Sequence, residues 1–129
     1  MGSQTILLIE DDPNMAYLLK FVLQREGFAV EHLADGHLAR EYMQSHSSVD
    51  LVILDLMLPY VDGFDLLRCM RDHELWRLSP RIVLSAREQE ADVVKAFEAG
   101  ADDYVKKPFS PAELMSRVRR QLGPKGRPA

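Results

Sequence analysis

Four apolar runs in this chain each stop at a polar, chemically useful group. Ile6-Leu7-Leu8-Ile9 precedes Glu10 and Asp11, Leu51-Val52-Ile53-Leu54 precedes Asp55, Ile82-Val83-Leu84 precedes Ser85, and Tyr104-Val105 precedes Lys106 and Lys107. Residues apolar in succession, rather than in alternation, are what a strand buried on both faces requires, as in a parallel sheet covered by helices. Parallel strands all end at the same edge. The polar groups would therefore gather there, at the edge where open α/β sheets bind ligands.

The segments between the runs carry helical periodicity. Strand β1 is expected at about residues 5 to 10, and helix α1 follows from Asp12 as N-cap and Pro13 as first helical residue to a stop at Gly27. Its apolar face is Met15, Leu18, Leu19, Val22 and Leu23. Strand β2 (28–33), the turn Asp35-Gly36, helix α2 (37–46) and strand β3 (50–55) come next. The loop 57–63 opens helix α3, whose stripe is Phe64, Leu66, Leu67 and Met70. His73 to Pro80 reads as a loop with Trp76 and Leu78 as anchors. Strand β4 (81–85), helix α4 (88–99, stopped by Gly100), strand β5 (103–106) and helix α5 complete the chain, with Ser110-Pro111-Ala112-Glu113 as a capping box and Leu114, Val118 and Leu122 facing inward. Five strands alternating with five helices predict a doubly wound, five-stranded parallel sheet.

A length of 129 residues fits one domain with one core. An apolar share of 47% beside 28% charged residues is that of a globular chain. No apolar run exceeds five residues, against roughly 20 for a spanning helix. With no secretory signal at the start, the expectation is a cytoplasmic protein without membrane contact. Cys69 is the only cysteine, so no internal disulfide forms and a reducing compartment fits; its expected role is small apolar packing on a helix. The net charge of −4 argues against direct nucleic-acid contact by this domain. His32, His37, His46 and His73 lack zinc-site spacing and read as surface or turn residues.

Glu10, Asp11 and Asp55 at one edge need a cation. Two carboxylates about 4 Å apart at an effective dielectric near 20 repel by roughly 4 kcal/mol, so without a counter-charge one would take up a proton. Mg²⁺ suits one or two carboxylates, water and phosphate oxygens. A lysine opposite the acids supplies a second positive charge. Each acid alone could be an exposed turn residue; three at strand ends opposite a lysine describe a site for a divalent metal and a phosphoryl group.

From about Thr5 to Leu122 the chain resembles the receiver domain of two-component response regulators. The residues that carry the resemblance are Glu10-Asp11-Asp12 after the first run, Asp55-Leu56-Met57-Leu58-Pro59, Asp62-Gly63, Leu84-Ser85-Ala86-Arg87, and Gly100-Ala101-Asp102-Asp103-Tyr104 followed by Lys107-Pro108-Phe109. The resemblance implies a flavodoxin-like fold with strand order 2-1-3-4-5. It makes Asp55 the acceptor of a phosphoryl group from a histidine kinase or phosphotransfer protein, a protein that catalyses only its own phosphorylation and dephosphorylation. It gives Mg²⁺ to Glu10, Asp11, Asp55 and the Met57 backbone carbonyl, and catalytic roles to Lys107 and Ser85. Ser85 and Tyr104 become the switch pair, with phosphorylation drawing Ser85 in and making room for the Tyr104 ring. Lys107 rather than Lys106 matches the family lysine, because it precedes Pro108, in a bond that the family often holds cis. For Asp12, capping preference favours the N-cap role over ligation.

The resemblance is nearest to receivers of winged-helix transcription factors, which implies a homodimer through α4-β5-α5 with Asp102, Asp103, Glu113 and Arg117 in its charged network. Two positions depart from that pattern. Val93 stands where a basic residue is usual, leaving Val93 and Phe97 as a more apolar patch, and Arg81 opens a strand whose start is usually apolar. Two alternatives share the residues: a pseudo-receiver that binds without phosphorylation, and a Mg²⁺-dependent phosphatase with an aspartate nucleophile. The latter commonly carries a second acid two residues after the nucleophile, where this chain has Met57. The division expected is a receiver over 1–122 and, over 123–129, a tail or an interdomain linker.

Overall fold

The structure, a computed structural model, describes residues 4–123. Strands β1 (Thr5–Ile9), β2 (Ala29–Leu33), β3 (Leu51–Leu54), β4 (Arg81–Ser85) and β5 (Asp103–Lys106) alternate with helices α1 (Pro13–Arg25), α2 (Gly36–Ser45), α3 (Gly63–Asp72), α4 (Glu90–Ala99) and α5 (Pro111–Leu122). All strand pairings are parallel, in the order β2-β1-β3-β4-β5.

Successive strand residues enter opposite cores, as the pleat requires. Leu7, Ile9, Val52, Leu54 and Val83 pack with α2, α3 and α4, whereas Ile6, Leu8, Leu51, Ile53, Ile82 and Leu84 pack with α1 and α5. This two-sided burial is why the runs are uninterrupted. The register then sets the site: Ile9 lies beside both Leu33 and Leu54, Leu54 beside Val83, and Ser85 beside Lys106. Glu10 and Asp55 fall one residue past the ends of β1 and β3, outside the strands rather than in them.

Side-chain caps start four of the helices. Asp12 accepts from the N–H groups of Asn14 and Met15, Asp35 from Leu38, Asp62 from Phe64 and Ser110 from Glu113. The Ser110 half of the predicted capping box is present; the Glu113 carboxylate lies 3.6 Å from Arg117. Gly63 lets α3 begin against the β3 exit, since a Cβ there would fall 2.5 Å from Leu56 Cα.

Several packing expectations need correction. In α1 the inward stripe runs through Ala16, Leu19, Val22 and Leu23, so Leu18 falls off it and is 43% exposed. Residues 76–78 form one 3₁₀ turn, whose three-residue repeat turns Trp76 and Ser79 inward and leaves Leu78 64% exposed; Trp76 anchors the segment and Leu78 does not. Cys69 faces solvent, because α3 buries Leu66, Leu67 and Met70 instead. On α4, Val93 packs partly against the core, and Val94 is the valine exposed beside Phe97. Arg81 is buried and not a misplaced charge: it donates to the carbonyls of Gly100, Ser79 and Trp76 at 2.8, 2.8 and 3.3 Å. Among the described residues no helix is long and apolar enough to cross a membrane. Of the segment 123–129, Gly123 ends α5 at φ 62°, and the rest lies outside the described residues.

Candidate functional site

The carboxylates of Glu10, Asp11 and Asp55 come together beyond the ends of β1 and β3, each with an oxygen within 4.8 Å of the others. Glu10 and Asp55 are buried and Asp11 is exposed, so the cluster has two walls and one mouth. Lys107 reaches across from the β5 exit. Its ammonium donates to Asp55 Oδ2 at 2.7 Å and to Glu10 Oε1 at 2.9 Å. The remaining oxygens are also held: Asp55 Oδ1 accepts from Met57 N–H at 2.9 Å and Glu10 Oε2 from Asp12 N–H at 3.1 Å. The Lys107-Pro108 bond is cis.

Burial pushes the Glu10 carboxyl above its ordinary range, and the hydrogen bond and charge of Lys107 only partly oppose this. Burial alone would lower the Lys107 pKa; hydrogen bonds and charges from Asp55 and Glu10 outweigh it and raise the ammonium above its ordinary value. The ammonium therefore stays charged at neutral pH and balances part of the acid cluster. The three carboxylate oxygens suit a hard divalent cation, which prefers oxygen ligands, and Met57 brings its backbone to the same rim.

Ser85 and Tyr104 lie on neighbouring strands, and both reach the same residue. Ser85 Oγ, fully buried, accepts from Arg87 N–H at 3.2 Å; the Tyr104 hydroxyl donates to the Arg87 carbonyl at 2.6 Å. The Tyr104 ring is already inside, 7% exposed, and its burial raises the phenol pKa.

Two contacts escaped sequence reasoning. His32 is half-buried with Nε2 2.8 Å from the Glu10 carbonyl, and His73 Nδ1 accepts from Leu75 and Trp76 N–H groups at 3.0 and 3.2 Å. Partners 22 residues apart, as for His32 and Glu10, leave no local signal. Tyr60, at φ 71° and 86% exposed, stands on the β3-α3 loop in a conformation that an L side chain rarely adopts.

Sequence and structure comparisons agree with this geometry. The sequence pattern of the response regulator receiver domain matches residues 6–119. The DNA-binding response regulator MtrA of Mycolicibacterium smegmatis is 44% identical over 120 residues, covering 92% of this chain and 50% of its own. A response regulator structure from Chloroflexus aurantiacus superposes with TM-score 0.88 at 36% identity, covering 94% of this chain and 98% of its own. The receiver domain of a sensor histidine kinase from Pseudomonas aeruginosa, with a magnesium ion coordinated in its active-site cleft, superposes with TM-score 0.86 at 34% identity over 95% of this chain and 99% of its own. The chain spans about half the length of the curated relatives it matches.

Proposed function

This chain belongs to the response regulator receiver family, and from that premise we propose that Asp55 accepts a phosphoryl group from the phosphohistidine of a histidine kinase or phosphotransfer protein. One Asp55 oxygen forms the new P–O bond as the P–N bond of the donor breaks; the electron pair leaves with the imidazole nitrogen, and the product is an acyl phosphate. Glu10, Asp11, Asp55 and the Met57 carbonyl would hold Mg²⁺, which supplies charge neutralisation for the transferring oxygens. Lys107 offsets the charge that Asp55 carries into the reaction and follows the phosphoryl group. Ser85 accepts from Arg87 N–H, and its own O–H would donate to a phosphoryl oxygen. The observation that carries the reading is the Lys107 ammonium shared between Glu10 and Asp55 inside a three-carboxylate cluster.

The test is intact mass after incubation with acetyl phosphate and Mg²⁺, beside Asp55→Asn and a metal-free sample. A single phosphoryl adduct confined to the complete wild-type reaction is expected. No adduct on folded wild type, from acetyl phosphate or from a panel of kinases, would turn the reading toward phosphorylation-independent binding.

The output belongs to whatever is joined to this domain, and transcription control is the proposal that the relatives support. Cytoplasmic placement follows from that role. For a homodimer through α4-β5-α5, exposed Val94 and Phe97 supply apolar surface. The charged residues are already engaged within the chain, Arg117 with Asp103 at 2.9 Å and with Glu113 at 3.6 Å. A dimer using them across the interface has to exchange these pairs.

A further inference from the structure

Glu10 and Asp11 are consecutive, so a single peptide group joins two of the three clustered acids. Three polar atoms of Glu10 are held by neighbours already described or by the adjacent strand. Its N–H donates to the Leu33 carbonyl at 3.1 Å, its Oε1 takes the Lys107 ammonium at 2.9 Å, and its Oε2 takes the Asp12 N–H at 3.1 Å. The fourth, the Glu10 carbonyl oxygen, lies 2.8 Å from His32 Nε2. A carbonyl can only accept, so Nε2 carries the hydrogen and donates it.

The end of the β1-β2 ladder explains why a side chain serves this carbonyl. The two strands finish together at the Ile9–Leu33 pair. With the Glu10 N–H on the Leu33 carbonyl, a continuing parallel ladder would bring the N–H of residue 35 to the Glu10 carbonyl. Residue 35 is the N-cap of α2, its carboxylate 2.8 Å from the Leu38 N–H, and the His32 imidazole supplies the donor from within β2 instead. His32 is half-buried and borders a groove of about 280 Å³ beside α1, lined also by Pro13, Ala16, Tyr17 and Lys20. Another side chain therefore fits at position 32 without overpacking a closed core.

We propose that His32 is a positioning residue for the acids that would hold Mg²⁺: its Nε2–H fixes the peptide between Glu10 and Asp11 and so places both carboxylates. This rests on the reading of Glu10 and Asp11 as Mg²⁺ ligands. The two acids depend on the peptide unequally. Glu10 is 2% exposed and is also aimed by Lys107 and Asp12. Asp11 is exposed, and among the described residues its carboxylate accepts no hydrogen bond, so its placement depends on the backbone that carries it. A peptide released by His32 leaves the Asp11 carboxylate to be ordered by the metal itself, at a cost in affinity.

Calorimetric titration of Mg²⁺ into folded wild type, His32→Leu, His32→Gln and Val30→Ala tests this, beside the Asp11 amide nitrogen resonance of each metal-free protein. A hydrogen bond on the Glu10 carbonyl polarises the peptide whose nitrogen belongs to Asp11, so that resonance reports the bond without any metal. His32→Leu removes the donor, and its Mg²⁺ affinity is expected to fall by about tenfold, the lower end of the loss when a ligand-orienting hydrogen bond is removed. His32→Gln returns an N–H donor from its side-chain amide and is expected to recover most of the affinity and of the Asp11 resonance position. Val30→Ala, on the same strand and packed against the α1–α5 core, should lose stability and keep wild-type affinity. Equal affinity in wild type and His32→Leu overturns the proposal, and so does an equal loss in Val30→Ala or an Asp11 resonance that stays in place in His32→Leu. A wild type that binds no Mg²⁺ is seen before any variant is compared; it overturns the metal reading of Glu10 and Asp11 and the positioning role with it.

Discussion

The Lys107 ammonium lies 2.7 Å from Asp55 Oδ2, in a contact where the lysine side chain is 16% exposed and the aspartate 9%. Glu10, its second partner, is 2% exposed at 2.9 Å. Removing one member of a buried ion pair leaves the other charge without compensation, so Lys107→Met is expected to destabilise the metal-free protein by about 3 kcal/mol at pH 7. The sign of the pH dependence follows from the raised Lys107 pKa. Its contribution is fully present below the ordinary lysine value and fades as pH rises through the folded value. Denaturant unfolding at pH 7 and pH 11 checks this: the gap between wild type and Lys107→Met should narrow at the higher pH. Equal stability at pH 7 would sink the idea that the pair matters.

Glu10 behaves in the opposite sense. Its folded pKa is raised, chiefly by burial, so the ionised carboxylate costs the metal-free fold stability. That cost is absent below the unfolded value, near 4.5, and grows as pH rises through the folded one. Glu10→Gln is therefore expected to melt above wild type at pH 7 in a chelator, with the advantage vanishing below the ordinary glutamate pKa. Mg²⁺ should reverse the order, since it stabilises by mass action whichever protein binds it more tightly. A lower melting temperature for Glu10→Gln in chelator would refute the argument.

What could be seen in the sequence was what depends on strand burial and chain direction. Ile6 to Ile9 and Leu51 to Leu54 had to be strands covered on both faces, and a parallel sheet then had to bring Glu10, Asp55, Ser85 and Lys107 to one edge. What stayed hidden depends on partners that only the fold brings close. Arg81 looked like a fault at the start of β4, because the carbonyls that receive it, at Trp76, Ser79 and Gly100, are main-chain groups that carry no side-chain signal. Arg87 passed as part of a motif for the same reason: its N–H and carbonyl, not its side chain, meet Ser85 and Tyr104. Leu18 was misplaced by a small error of helical phase, and Leu78 because the 3₁₀ turn at 76–78 was read as a loop; apolar character alone corrects neither.

Arg81 gives its own prediction. Its guanidinium is 3.9 Å from Asp102, so the carbonyl bonds do most of the compensating for a buried cation. Arg81→Met fills similar volume but leaves those carbonyls without a donor, at a cost of about 2 kcal/mol. Trp76, whose Nε1 donates to the His46 carbonyl at 3.2 Å, sits beside this network and reports on it. Its emission should shift to the red in the variant under native conditions. An unchanged emission maximum and unfolding midpoint would mean that the network contributes nothing.

Gly63→Ala tests the support of the Asp55 loop. A Cβ there would meet Leu56 Cα at 2.5 Å and Leu56 carbonyl oxygen at 2.6 Å, both backbone atoms immediately after Asp55. Backbone cannot yield as a side-chain tip does, so either α3 lifts away or the 56–62 loop moves. Overpacking of this kind costs about 1–3 kcal/mol, and here it also displaces Met57, whose N–H holds Asp55 Oδ1. Gly27 serves as the contrast: unlike Gly63 it has positive φ, at 97°, and a Cβ there would touch nothing within 4 Å. Gly27→Ala should lose about 1 kcal/mol from backbone strain alone and keep its affinity for Mg²⁺. Gly63→Ala should lose stability and Mg²⁺ affinity together, measured by calorimetric titration of folded protein. Unimpaired Mg²⁺ binding by Gly63→Ala would show that the loop holding Asp55 does not depend on the close approach of α3.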